Sequence, residues 1–239
     1  MDQPTLNEKP KSDQKYDFSK APKKDTELTD RMKRWISFPI SKLLIMYTQV
    51  TPNQVTAVSF VCTLAAGFFL FQGGYSNQVW GGIFTLLREI VDQIDGEIAR
   101  VKGLSTPLGK WFDGVAGFVS TEIIIITLAI GIGSPTALLW GMLAAIAFPM
   151  QYMLVYFYKQ DIAQSSQPIE FMSRHSPGIF HHLRYLYGSA FFYVLVPILL
   201  FIRKPLLALQ FFAIVGNLFW MGLLLIQYRN LRKDLKNKE

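Results

Sequence analysis

A chain of 239 residues would ordinarily make one or two soluble domains, but here 51% of the residues are hydrophobic and they fall in long runs. The formal charge of +7 is not a nucleic-acid footprint, because the bases are gathered into alternate links between those runs. A single cysteine, Cys62, lies inside the first run, which excludes a disulfide framework and a cysteine metal site.

Residues 1–25 are rich in Lys, Asp, Gln and Pro and too poor in apolar residues to fold alone, so a disordered basic cytoplasmic tail is expected there. They contain no apolar core of a secretory signal, and the first span is expected to direct insertion itself. From Thr26 the pattern changes. Leu28, Met32, Trp35 and Ile36 recur at helical spacing, with Arg31, Lys33 and Arg34 between them. This predicts an amphipathic helix over about 26–48 lying on an anionic membrane surface; a loosely ordered basic linker is the alternative. "TPNQVT" follows at 51–56, with Thr51 placed as an N-cap and Pro52 at the first helical position.

Six stretches then approach the roughly 20 residues that a membrane helix needs: 54–72, 77–100, 107–132, 135–159, 183–202 and 205–227. The second and third contain charges and are expected to score poorly on hydropathy alone. The predicted fold class is an all-α membrane protein of about six transmembrane helices preceded by an interfacial helix. It forms one membrane domain, 26–230, with a basic cytoplasmic tail at 231–239. The polar segment 160–182, between the fourth and fifth spans, holds all three histidines, His175, His181 and His182. There is no internal repeat, no Gly-rich phosphate loop and no heptad seam.

Ten Lys and Arg residues precede the first span, Arg100, Lys102 and Lys110 border the link between the second and third, and five lie in the tail. The links at 73–77 and 131–135 have none, and only Arg203 and Lys204 break the alternation. The positive-inside rule therefore puts both termini and the region 92–113 on the cytoplasmic side of a plasma or inner membrane, or of the ER membrane in a eukaryote.

The two charged spans carry the chemistry. On a helix over 77–100, Asp92 and Asp95 are i,i+3 neighbours, with Arg88 on the same stripe one turn deeper. Gly96 removes a side chain beside the second acid, so that a bulky group can approach the backbone. The short link to 107 makes the next helix an antiparallel neighbour and brings Asp113 to a comparable depth. Three carboxylates can thus converge in a pocket open to the cytoplasm. Ionised groups at such depth cost about 2.5–3.5 kcal/mol each on insertion scales. A divalent cation such as Mg²⁺, which favours a few carboxylates plus phosphate oxygens, would offset their repulsion and imply a phosphate-bearing substrate. The plainer reading is that the acids pair with Arg88, Arg100 and Lys110 and staple the helices.

The spacing is more specific than stapling requires. It reads D-x2-D-G-x2-A-R-x8-G-x3-D, realised as Asp92, Asp95, Gly96, Ala99, Arg100, Gly109 and Asp113. This resembles the signature of the CDP-alcohol phosphotransferase (CDP-alcohol phosphatidyltransferase) family, in which a further x3-D follows. "TPNQVT", the amphipathic lead-in and the six-span layout are similar to that family too, over about residues 26–227. The resemblance implies a membrane enzyme, usually a homodimer, that displaces CMP from a CDP-linked donor with an alcohol acceptor and uses divalent metal. It implies Asp92, Asp95 and Asp113 as metal ligands, Gly96, Ala99 and Arg100 around the nucleotide, and close approach at Gly109.

The pattern's last acid, which the family uses as general base, falls on Gly117. Glu122 points to the other side of the helix, about 13 Å deeper at 1.5 Å per residue. Glu89 and the loop histidines His175, His181 and His182 are weak candidates to replace it. With Arg88 on the stripe, three aspartates carry a charge that balances one Mg²⁺ or Mn²⁺, so one tight metal site is expected. The leading reading is an active transferase of phospholipid or related polar-lipid synthesis. The alternative is a catalytically impaired member that binds nucleotide or lipid as a partner or regulator. An ion carrier or a prenyl transferase fits the positions of the acids less well.

Overall fold

A computed structural model describes residues 16–22, 28–158 and 189–236, and every regular element among these residues is helical. The α-helices are α1 (Leu28–Tyr47), α2 (Pro52–Gln72), α3 (Tyr75–Lys102), α4 (Pro107–Ile132), α5 (Pro135–Tyr158), α6 (Ser189–Phe201) and α7 (Pro205–Lys236). Short polar links punctuate them. At α2, the Gln54 amide donates to Thr51 Oγ1 and the Thr51 amide donates to Gln54 Oε1, a reciprocal capping box just ahead of an apolar run. At α4, Thr106 Oγ1 accepts from the Gly109 amide with Pro107 at the first helical position, and Ser134 caps α5 in the same way. Gly103 ends α3 at φ +67°, and the Leu104 amide closes back on Ala99 O at 3.0 Å.

Among the described residues, four helices are long and apolar enough to cross a membrane: α2, α4, α5 and α7 over Pro205–Arg229. The expected weak hydropathy therefore holds for α3 and not for α4. The charges of α4 are Lys110 and Asp113 near its start and Glu122 further on, which leaves a membrane-length apolar window. The 13 residues of α6 cover only part of the predicted fifth span, whose residues 183–188 lie outside the described residues. The helices and the apolar spans make this an all-α membrane protein.

The chain divides into two compact units. The first comprises the chain up to Thr63 together with Leu87–Ser120. Its core is small: Ala21, Ile45, Val55, Ile94, Ile98 and Val101, with Tyr16, Phe18 and Phe38 packed against it. Within the stretch expected to be disordered, residues 16–22 are folded. Phe18–Lys20 is a 3₁₀ turn capped by Asp17, and Ala21 is fully buried. The Ser19 hydroxyl and amide hold the Asp17 carboxyl below the usual carboxylate range. Helix α1 is amphipathic as predicted, but Lys33 and Arg34 do not point outward. Ser37 and Ser41 are buried, Lys33 and Arg34 reach acids of α3, and Trp35, Ile36, Leu43 and Tyr47 form the exposed face.

The second unit, Leu64–Leu86 with the chain from Thr121 on, is apolar. Phe148, Phe192 and Phe212 pack with ring centroids 4.8–6.1 Å apart, surrounded by Leu70, Ile124, Ile125, Leu128, Val196 and Leu200. Asn217 ties α7 to α5 by donating to Leu143 O at 2.8 Å. The ends of α2 and α4 approach so closely that a Cβ on Gly131 would fall 1.8 Å from Leu70 O. Only hydrogen fits there.

Candidate active site

The first unit brings the three signature aspartates together. One oxygen each from Asp92 and Asp95 on α3 and from Asp113 on α4 lie within 4.8 Å of one another. Asp95 is buried and the other two are half-buried. A solvent-open cleft of about 290 Å³ runs beside them, lined by Asn53, Thr56, Asp95, Gly96, Ala99, Arg100, Gly109, Lys110 and Asp113, among others. That volume is at the lower end of small-molecule sites, roughly 300–1,000 Å³.

The glycines of the pattern make room for polar groups. A Cβ at Gly109 would stand 3.2 Å from Asn53 Oδ1 and 3.1 Å from Thr106 Oγ1, so the start of α4 can lie close to the start of α2. A Cβ at Gly96 would stand 3.0 Å from Arg100 Nη1. The bulky group over Gly96 is thus the guanidinium of its own helix. Arg100 Nε donates to Ala21 O at 2.8 Å, which fixes the side chain at the cleft wall.

Asp92 does not line the cleft. Arg88 Nη2 donates to its Oδ1 at 2.8 Å, and Arg88 Nη1 donates to Glu89 Oε2 at 2.8 Å. Glu89 Oε1 accepts from Lys33 Nζ at 2.5 Å. The stapling reading is thus realised at Asp92, by Arg88. Glu89, a weak candidate for the missing base, has both oxygens engaged by cations and is absent from the cleft lining. Across from Arg88, a Cβ at Gly117 would lie 3.3 Å from Nη2. Glu122 belongs to the second unit, and His175, His181 and His182 lie outside the described residues.

A model of the CDP-alcohol phosphatidyltransferase family matches residues 49–225, more than half of the chain. The chain belongs to that family. It is 37% identical over 75 residues to a phosphatidylinositol phosphate synthase of Corynebacterium glutamicum, a match covering 31% of this chain and 33% of that protein. It is 30% identical over 82 residues to an archaetidylinositol phosphate synthase of Pyrococcus horikoshii, covering 34% of this chain and 42% of that one. It is 32% identical over 91 residues to a bifunctional IPC transferase and DIPP synthase of Aquifex aeolicus, covering 38% of this chain and 20% of that one. The chain thus spans less than half the length of each of these relatives. Members of this family typically use divalent metal, and all the converging donors here are carboxylate oxygens, hard ligands suited to such an ion.

Three polar features escaped the sequence reading. Thr56 Oγ1 donates to Asp95 Oδ2 at 2.5 Å and orients that carboxylate. The signal was present as the last residue of "TPNQVT", but only the fold turns it toward Asp95. Glu97 is fully buried and accepts from Ser37 at 3.0 Å and Ser41 at 2.6 Å, with Arg34 3.9 Å away. The i,i+4 serines of α1 carried that signal. Lys33 was read as surface charge and is instead a partner of Glu89.

Proposed function

We propose that this chain is a membrane transferase that moves a phosphatidyl-type group from a CDP-linked donor to an alcohol acceptor and releases CMP, in phospholipid or related polar-lipid synthesis. The observation that carries the reading is the meeting of Asp92, Asp95 and Asp113 beside a cleft bordered by Gly96 and Gly109. The three relatives bear inositol-phosphate or IPC and DIPP names. A phosphorylated polyol is therefore the acceptor class to try first.

In this reading Asp92, Asp95 and Asp113 would hold one Mg²⁺ or Mn²⁺, which when bound neutralises charge on the donor's diphosphate. Gly96, Ala99, Arg100 and Gly109 border the nucleotide, with Arg100 supplying positive charge at the cleft wall. Thr56 holds Asp95 in place. The acceptor oxygen forms a bond to the β-phosphorus, the bond from that phosphorus to the bridging oxygen breaks, and CMP leaves. Gly117 offers no carboxylate to take the hydroxyl proton, so the proton passes to a phosphate oxygen of the acceptor or donor and leaves with the products. Positioning and electrostatics supply the rest of the rate.

The same reading takes residues 26–230 as the membrane domain, flanked by tails at 1–25 and 231–239, with both termini cytoplasmic and two chains forming a homodimer. Its support is the distribution of bases and the family match. The test is CMP release by purified protein in liposomes, with Mn²⁺, CDP-diacylglycerol and pooled polyol phosphates. We expect metal-dependent release that Asp113→Asn lowers by at least about a hundredfold, more than the loss typical of an outer-shell change. Nucleotide binding without any CMP release would instead identify an impaired member.

A further inference from the structure

We infer that Arg88 is a fixed cation of the metal site, held in the space that Gly117 leaves, and that it limits the site to one divalent ion. This rests on the metal-site reading above. The Arg88 side chain is 3% exposed, yet it lies between two carboxylates, with Nη2 on Asp92 and Nη1 on Glu89. A guanidinium so enclosed cannot swing away to solvent, and it stays charged at any accessible pH. Its Nη2 also faces the backbone of α4, 3.3 Å from where a Cβ of residue 117 would stand. Any side chain at 117 therefore meets Arg88 first, and a carboxylate there would close an ion pair instead of facing the cleft.

Charge counting points the same way. Glu89, Asp92, Asp95 and Asp113, with Lys33 and Arg88, leave a net −2 when all are ionised, Arg100 and Lys110 of the cleft wall being set against the charge of a donor's diphosphate. One divalent cation neutralises that, and a second would leave an excess of +2. Arg88 also takes one oxygen of Asp92, leaving fewer donors for a further ion. Glycine at 117 and arginine at 88 are thus two halves of one arrangement. A carboxylate restored at 117 while Arg88 stays gains no metal, whereas the same carboxylate with Arg88 replaced by methionine completes a four-acid site.

The inference is tested by counting Mn²⁺ per chain, by calorimetry and by electron paramagnetic resonance, on full-length protein in detergent that elutes as a single species. We expect one ion for the native chain, one for Arg88→Lys, one for Gly117→Asp, and two for Gly117→Asp combined with Arg88→Met. Two comparable ions in the native chain, two in Gly117→Asp alone, or one in the double variant would overturn it. Should the double variant not survive purification, Arg88→Met alone decides. Removing a cation 2.8 Å from an oxygen of the Asp92 carboxylate should tighten Mn²⁺ binding at least tenfold. If Arg88 only orients Asp92, binding instead stays the same or weakens, and the inference fails. Native binding of one ion that Asp113→Asn abolishes, with no response to the Arg88 variants, would sink the inference and leave the metal site standing. Absence of any Asp113-dependent binding would remove both.

Discussion

The two units of the chain bury different things. In the first, the buried side chains among the described residues include Arg88, Glu89, Asp95 and Glu97, with Ser37, Ser41 and Thr56 as hydrogen-bonding partners nearby. In the second, the buried polar residues among the described residues are Gln78, Thr85 and Thr121, none of them charged, set in a core of Phe148, Phe192, Phe212 and branched aliphatics. Buried charge is weak support for stability, since desolvation offsets much of the attraction. The aromatic core carries no such penalty. The first unit therefore carries the buried charge, and the second supplies apolar packing. Mutations should divide accordingly, with steric changes in the second unit acting on folding and polar changes in the first acting on the site.

The largest effect is expected at Gly131. An added Cβ would stand 1.8 Å from Leu70 O and 3.2 Å from the Gly73 amide nitrogen, both backbone atoms that cannot rotate aside. Overpacking against movable side chains typically costs about 1–3 kcal/mol. Against two backbones the cost should exceed that range, so Gly131→Ala should yield little monodisperse protein in size-exclusion chromatography. Native yield and melting would mean that α2 and α4 part easily, and that the second unit is not the rigid member of the pair.

A middle-sized effect is expected from Thr56→Val, which keeps the shape and removes the hydroxyl on Asp95. Loss of an outer-shell partner typically costs 10–100-fold in metal affinity. Mn²⁺ titration should show a shift in that range with the melting temperature nearly unchanged. A shift within twofold would show that Asp95 is oriented without Thr56.

Thr56 also marks where sequence reasoning stopped. Helix positions, the fold class and the convergence of Asp92, Asp95 and Asp113 followed from hydrophobic run length, link length and i,i+3 spacing, all properties of neighbouring residues. What α1 and α2 contribute did not follow. Thr56 lies 39 residues from Asp95, and Ser37 and Ser41 lie 60 and 56 residues from Glu97. No local periodicity links such pairs. The bases of α1 misled for a related reason. Alternating with apolar residues they matched a membrane-surface pattern, whereas a buried carboxylate is a stronger partner for Lys33 than a wet headgroup, because attraction grows as water is excluded. Arg88 was visible on the acidic stripe, but its approach to Gly117 is a contact between two helices, and only the fold supplies that.

The smallest effect, opposite in sign to that at Gly131, is expected at Gly114. A Cβ there meets nothing within 4 Å, and the residue is exposed in the interior of α4. Glycine in such a helical position costs roughly 0.5–1 kcal/mol relative to alanine, because the unfolded chain has more freedom to lose. Gly114→Ala should thus raise the thermal midpoint slightly and leave Mn²⁺ binding unchanged, since the residue does not line the cleft. The neighbouring side chains Trp111 and Val115 are exposed and apolar, as a lipid-facing or protomer-facing surface would be. A loss of stability on adding this methyl would mean that the space beside Gly114 is filled in the membrane by a second chain. Chemical crosslinking of native and variant protein in liposomes would then show a reduced dimer band for the variant. An unchanged band with a raised midpoint would leave that side of α4 to lipid.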